Sequence, residues 1–257
     1  MHVVDLGIVP VKGTRYVQVG AVDLDRSGVV GDRAFLVVAA ADSGLLITGR
    51  TPALQRVRSR WLPERGLLRL EFPDGTVVTD RPQPGEHTTT RMYDGRELTG
   101  RLADGPAAAA LSEFLGRPVR LVQPDAGARG ADDAPVTLVS EASLATVASE
   151  TGTAHLDPRR FRMTMTVSGA ASWEEESWLG REVVVGETTL RVGRPVVRCV
   201  VTTRNPESAV VDARVLHALA RLRGHTDLCL GVWCEVVEPG RVRRGDPLRL
   251  GPLPPPT

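Results

Sequence analysis

The sequence predicts a mainly β protein of the α+β class with a few short helices. Apolar residues recur in short alternating stretches, the period of half-buried strands. Turn-forming Gly, Pro and Asp separate them at the spacing of barrels or sandwiches rather than of a parallel βαβ sheet. Only a few segments carry a helical period. Strands are expected at 3–9, 16–24, 34–40, 55–62, 67–72, 76–79 and 96–101. Further strands are expected at 118–123, 136–139, 162–167, 182–185, 188–192, 196–203, 232–237 and 247–250. A helix at 106–115 has Asp104 near its start, an early proline and Gly116 at its stop. A second, 141–149, follows Ser140, a good N-cap, with Glu141 in its first turn. A third, 212–223, ends at Gly224 and puts Val215, Leu216, Leu219 and Leu222 on one face.

With 257 residues the chain suits one large domain or two modest ones, and it buries enough core to need no disulfide or metal. The stretch PDAGARGADDAP at 124–135 reads as an exposed linker or loop. The tail, 253–257, reads as disordered. Lys plus Arg is 32 and Asp plus Glu is 31, a net charge of +1 that argues against a nucleic-acid partner. Within that balance Lys12 is the lone lysine, so it is either compositional chance or a position where a compact point charge is needed and a planar guanidinium does not serve. Three cysteines, Cys199, Cys229 and Cys234, make no disulfide framework and suit a reducing compartment. No signal-peptide pattern opens the chain, and no apolar run nears the roughly 20 residues of a membrane helix. A cytoplasmic protein without a membrane partner is expected.

The sequence lacks a P-loop, G-x-G-x-x-G, H-E-x-x-H and G-x-S-x-G. His225, Cys229 and Cys234 do not have zinc spacing, and Cys234 is expected to alternate with Val232 and Val236 on a buried strand face. Four segments place polar groups in apolar surroundings: PVKG at 10–13, Gly31-Asp32-Arg33, the helix start at 140–144, and VRCVVTT at 197–203. A lysine, arginines and a helix N-terminus with hydroxyls are the parts of a phosphate cradle. A thiol beside the Arg198 guanidinium has its thiolate form favoured, and thiolates bind soft metals.

These segments resemble the MOSC proteins that carry an N-terminal MOSC barrel domain, the group of the mitochondrial amidoxime reducing component and its bacterial relatives. The matching stretches, in order, are PVKG, GDRAFLVV (31–38), ITGRTPALQRV (47–57), LVSEASL (138–144) and RFRMTMTVSG (160–169). SWEEESWLGREVVVGETTL (172–190), VVRCVVTT (196–203) and PGRVRRGDPLRL (239–250) follow. The resemblance implies an N-terminal barrel-like domain over 1–123 and a MOSC β-barrel domain over 124–252. It implies a molybdenum cofactor with Cys199 as the metal ligand and catalytic residue. Lys12, Arg33, Ser140, Ser143, Arg162 and Arg198 would then contact the phosphate and pterin.

The implied function is a molybdenum-dependent oxidoreductase that reduces N-hydroxylated substrates (amidoximes, hydroxylamines, N-oxides) by oxygen-atom transfer. The alternatives are a persulfide carrier and a non-catalytic cofactor carrier. The pyridoxal-phosphate part of the cofactor sulfurases is missing here, which weighs against the first. No cysteine-rich extension holds an iron–sulfur cluster, so electrons are expected from a separate reductase or ferredoxin. The sequence departs from the family at Val197, where relatives have serine, and at Met163-Thr164, where they have Pro-Asn. The acidic run 174–176 reads as a solvated loop.

Overall fold

The computed structural model describes residues 1–128, 130–131, 135–153 and 156–252. The tail expected to be disordered lies outside these residues. Strands in the first half are His2–Ile8 (β1), Val17–Gln18 (β2), Ala21–Asp25 (β3), Gly28–Val29 (β4), Leu36–Ala39 (β5), Arg58–Leu62 (β6), Leu67–Glu71 (β7), Val77–Asp80 (β8), His87–Arg91 (β9), Glu97–Leu102 (β10) and Val119–Pro124 (β11). The second half adds Val136–Ser140 (β12), Met165–Ser168 (β13), Glu182–Val185 (β14), Thr188–Val197 (β15), Cys229–Glu238 (β16), Gly240–Arg243 (β17) and Leu248–Leu250 (β18). The helices are Pro106–Leu115 (α1), Glu141–Thr151 (α2) and Val215–Arg223 (α3).

The protein is mainly β, as the alternation predicts. An eight-stranded sheet has the order β18-β14-β15-β16-β12-β13-β1-β2. The first half holds a four-stranded sheet, β5-β11-β10-β9, and a three-stranded one, β6-β7-β8. A further sheet joins β17 to β3 and β4. β1 therefore sits in the second half's sheet, antiparallel to β13, and β3 pairs with β17. Each sheet face buries its alternate residues. Leu6, Leu138, Met165, Trp178 and Val232 fill the core of the large sheet, while Phe35, Leu54, Leu70, Leu111 and Leu121 fill that of the first half.

Two helix starts differ from expectation, because the aspartates expected at them are drawn to partners elsewhere. Asp104 leaves α1 and binds Arg120, while Asp80 on β8 accepts from the Ala107 N–H at 3.0 Å. Gly105 makes this possible, since a Cβ there would meet the Asp80 carboxylate at 2.7 Å. α3 begins at Val215 rather than 212 because Asp212 is drawn to Asn205 and Arg160. α2 keeps its expected cap: the Ser140 hydroxyl accepts from the Ser143 N–H at 3.0 Å.

β15 and β16 pair along most of their length, with irregular register around Pro195, which has no N–H to give to the ladder. The long connection between them, residues 198–228, carries Cys199. The sequence expects a strand over 196–203, but the ladder stops at the pair Val197–Cys229 and a 3-10 helix, Val200–Thr203, follows. Arg198 still donates its N–H to Leu228 O at 2.8 Å, and its side chain turns inward to the Phe161 carbonyl.

Candidate functional site

A cavity of about 460 Å³ lies where the two halves meet, in the size range of small-molecule sites. Among its described lining residues are six cations, Lys12, Arg33, Arg50, Arg160, Arg162 and Arg198, and one acid, Asp32. Cys199 also lines it and is exposed.

Each side chain is placed by local backbone geometry. Lys12 leaves the end of β1, held by Lys12 N–H to Phe35 O (2.8 Å) and Val11 N–H to the Ser59 hydroxyl (3.2 Å). It is buried, and its Nζ donates to Gly130 O at 3.0 Å. Gly130 belongs to the stretch expected to be an exposed linker. It is buried instead, because a Cβ there would meet the Arg33 carbonyl at 2.2 Å. Asp32 straps the Arg33 turn to β1, accepting from the Val9 N–H at 2.6 Å and pairing with the Arg33 guanidinium. Arg33 (φ 46°) and Arg162 (φ 55°) both adopt left-handed backbone, which costs a side-chain-bearing residue energy and marks functional sites more often than plain loops.

Arg198 is buried and donates to Phe161 O and to Met163 Sδ at 3.5 Å, with its guanidinium 5.5 Å from the Phe161 ring centre. Among the described residues no carboxylate pairs with it, and its Nε has no partner. Burial pushes its pKa down to about 10, and the thiols of Cys199 and Cys229 pull the other way. It remains a cation at neutral pH, one that lacks an anion. Cys199 caps the 3-10 helix, its carbonyl held by the Thr202 N–H (3.1 Å) and hydroxyl (2.9 Å). Its thiol is left at the cavity wall.

Two family models match the chain in sequence order. The MOSC N-terminal beta barrel domain matches residues 1–118, and the MOSC domain matches residues 125–249. The chain belongs to the MOSC family. Mitochondrial amidoxime reducing component 2 of Bos taurus is 25% identical, over 95% of this MOSC protein and 81% of the relative. Components 2 and 1 of Homo sapiens are each 25% identical over 96% of this chain and 82% of theirs. The YUAD protein of Bacillus subtilis matches with a TM-score of 0.49 at 15% identity, over 97% of this chain and 94% of that one. No helix of the described residues is long and apolar enough to cross a membrane.

The MOSC protein brings five of the seven expected site residues to one cavity: Lys12, Arg33, Arg162, Arg198 and Cys199. Ser140 and Ser143 are not among them. Both are fully buried, and the α2 N-terminus they form is already filled by the carboxyl group of Glu175. Glu175 accepts from Ser143 Oγ at 3.0 Å and from Ser140 N–H at 3.3 Å. An internal carboxyl group thus takes the place where a helix terminus would receive a phosphate. The acidic run is not a solvated loop either. Glu174 accepts from the Ala171 N–H, Glu175 is buried, and Glu176 pairs with Arg223 at 2.8 Å. Replacing Glu175 by alanine strands two buried donors, so a loss of about 2 kcal/mol is expected. That is roughly 4–8 °C in a thermal unfolding scan. An unchanged midpoint would refute the cap.

Residues absent from the expected set also line the cavity. Arg160 is buried and grips the segment after Cys199 through Thr202 O (3.2 Å), Arg204 O (3.0 Å) and Asp212 Oδ1 (3.1 Å). Thr137 and Thr164 sit together, with Thr164 N–H donating to Thr137 Oγ1 at 2.9 Å. Nothing in the sequence separates Arg160 from the other arginines, whereas Thr164 stood in view as a departure from the family pattern.

The three thiols divide sharply. Burial, aided by Asp227, pushes Cys229 up to about 11, and burial alone pushes Cys234 up to about 12. Both thiols are therefore poor nucleophiles at pH 8, and Cys199 is the exposed one of the three. Brief iodoacetamide treatment of the cofactor-free chain at pH 8 is expected to label Cys199 alone by peptide mass mapping. Equal labelling of Cys229 would contradict this.

Proposed function

We propose that this MOSC protein binds a molybdenum cofactor in the cationic cavity and removes oxygen from N-hydroxylated compounds. One observation carries the reading: an exposed thiol, Cys199, stands beside a buried, carboxylate-free guanidinium, Arg198, in a cavity whose described lining has six cations to one acid. Such a donor set fits an anionic ligand that also takes a thiolate. A buried cation without a counter-ion is costly, and an anionic ligand relieves that cost.

Lys12, Arg33, Arg162 and Arg198 would hold the phosphate and pterin, and the Cys199 sulfur would be the protein's metal ligand. When bound, the cofactor supplies two-electron oxygen-atom transfer. The residues bind and orient it. Lys12 and Arg33 are fixed through their backbone, Lys12 N–H donating to Phe35 O and Arg33 N–H to Val9 O. The Cys199 backbone is fixed by Thr202 and, through the 3-10 helix, by Arg160. The balanced reaction for a hydroxylamine is R–NHOH + 2e⁻ + 2H⁺ → R–NH₂ + H₂O. The N–O bond breaks, and a separate reductase or ferredoxin supplies the electrons. The relatives' name, amidoxime reducing component, supports this reaction class.

Metal and pterin analysis of the protein purified from a molybdenum-sufficient host tests the reading. About one equivalent of each is expected, together with reduction of benzamidoxime by reduced methyl viologen. Absence of both molybdenum and pterin overturns it. Full loading without turnover of any N-hydroxylated compound would make the protein a cofactor carrier.

A further inference from the structure

We infer that the mouth of this cavity is an apolar vestibule that grades substrates by a hydrocarbon substituent, with Val197, Val200 and Tyr93 as its specificity-determining residues. The inference rests on the function proposed above. It narrows the substrates to N-oxygenated compounds whose non-reacting part is an alkyl chain or an aromatic ring.

The cavity lining is of two kinds. The cations make one part, and three of the exposed apolar side chains among the described residues belong to the other. Tyr93 is 72% exposed, Val197 64% and Val200 43%. Ten large hydrophobic residues are exposed among the described residues, and these three line the one cavity. Scattered exposed valines need no explanation, but a cluster at a concave site does.

The backbone dictates where these side chains go. Val196 and Val197 end β15, where successive residues face opposite ways. Val196 is 9% exposed and Val197 64%, and both line the cavity, Val197 presenting the larger open face. A polar residue is the ordinary choice at an outward strand position. Val200 begins the 3-10 helix capped by Cys199 and is seated against the first half. The Gly49 backbone comes so close that a Cβ there would lie 3.3 Å from Val200 Cγ1. Val197 and Val200 therefore bracket Cys199 on a supported wall.

The occupant is a small molecule rather than a protein. The three residues line a concave space of about 460 Å³, within the ~300–1,000 Å³ of ligand sites, whereas a stable protein interface covers about 800 Å² per partner. A substituent lying on the valines leaves the molecule's polar end near Cys199 and the cations.

The test uses two series on the full-length protein. In the first, the loaded protein reduces N-alkylhydroxylamines from methyl to hexyl with reduced methyl viologen. kcat/KM is expected to rise about three-fold per methylene over the first carbons. The double variant Val197→Thr/Val200→Thr keeps the shape but adds hydroxyls, and is expected to flatten the series to below about 1.5-fold per methylene. In the second, cofactor-free protein from a molybdenum-starved host is alkylated at Cys199 by N-methyl- to N-hexylmaleimide, each rate divided by that with glutathione. The same rise and the same flattening are expected without any turnover.

Flat series in the wild type overturn the vestibule, as do slopes that stay steep in the double variant. A rising maleimide series with no reduction of any hydroxylamine supports the vestibule and overturns the oxygen-removal reading. Sedimentation of both proteins completes the test. A concentration-dependent dimer that the double variant abolishes, together with flat series, would assign the valines to self-association instead.

Discussion

Cys199→Ala is expected to lower hydroxylamine reduction by at least about a hundred-fold. Outer-shell partners of a metal already cost ~10–100-fold when lost, and a ligand itself costs more. Cys229→Ala and Cys234→Ala are expected to retain most of the activity, because geometry sets them apart. Cys234 is fully buried among Val192, Val136 and Val232, and its loss costs packing, about 1 kcal/mol of stability. Cys229 pairs with Val197 in the ladder and is absent from the described lining of the cavity. Steady-state rates with an artificial donor, read beside thermal unfolding of each variant, separate the two effects. Full activity in Cys199→Ala would remove the thiol from the mechanism, and with it the claim that this cysteine holds the metal.

Arg198→Met has the second large effect, and its two readouts move in opposite directions. In the cofactor-free chain Arg198 is a buried cation without a carboxylate among the described residues, so an apolar side chain of similar length relieves a desolvation cost. Against this stands the hydrogen bond to Phe161 O, worth about 1 kcal/mol. The midpoint of thermal unfolding in the cofactor-free protein is therefore expected to hold or rise. Retention of molybdenum and pterin through gel filtration is expected to fall at least about ten-fold, since one charge-assisted contact is worth ~1.5–3 kcal/mol. A large fall in the cofactor-free midpoint, with retention intact, would make Arg198 a structural residue only. Residues kept for binding rather than stability show this opposition.

Most strands were legible because burial on one face imposes period two. What escaped was set by distance. The two-residue strand β4 is too short to show a period, and the polar β9, HTTTR, reads as a loop until β10 pairs with it. The cap of α1 comes from Asp80, 27 residues from the N–H it meets, and the buried Ser140 N–H before α2 is met by Glu175, 35 residues away. No local rule connects such pairs.

The candidate site was legible in parts. Lys12 and Cys199 stand out in sequence, one as the lone lysine and the other beside Arg198, and both line the cavity. The serines of the α2 start lie outside the described lining of the cavity, because a local pattern does not tell what fills a helix start, and here the Glu175 side chain does. The break at Val197 was hidden because Val-Val-Arg-Cys-Val-Val has the composition of a strand. Only the partner strand β16, ending at Cys229, shows where pairing stops.

The path of the first strand has a consequence for how the protein comes to exist. β1 waits for β13, and β3 waits for Gly240–Arg243, more than two hundred residues later in synthesis. At ~5–20 residues per second, roughly ten to forty seconds pass between translation of the two partners. During that time the Lys12 loop has no completed sheet to brace it, and the 160–202 wall opposite it has yet to be made. The cavity thus forms only after residues 160–202 have been made, and whatever it binds meets a chain that already holds both walls.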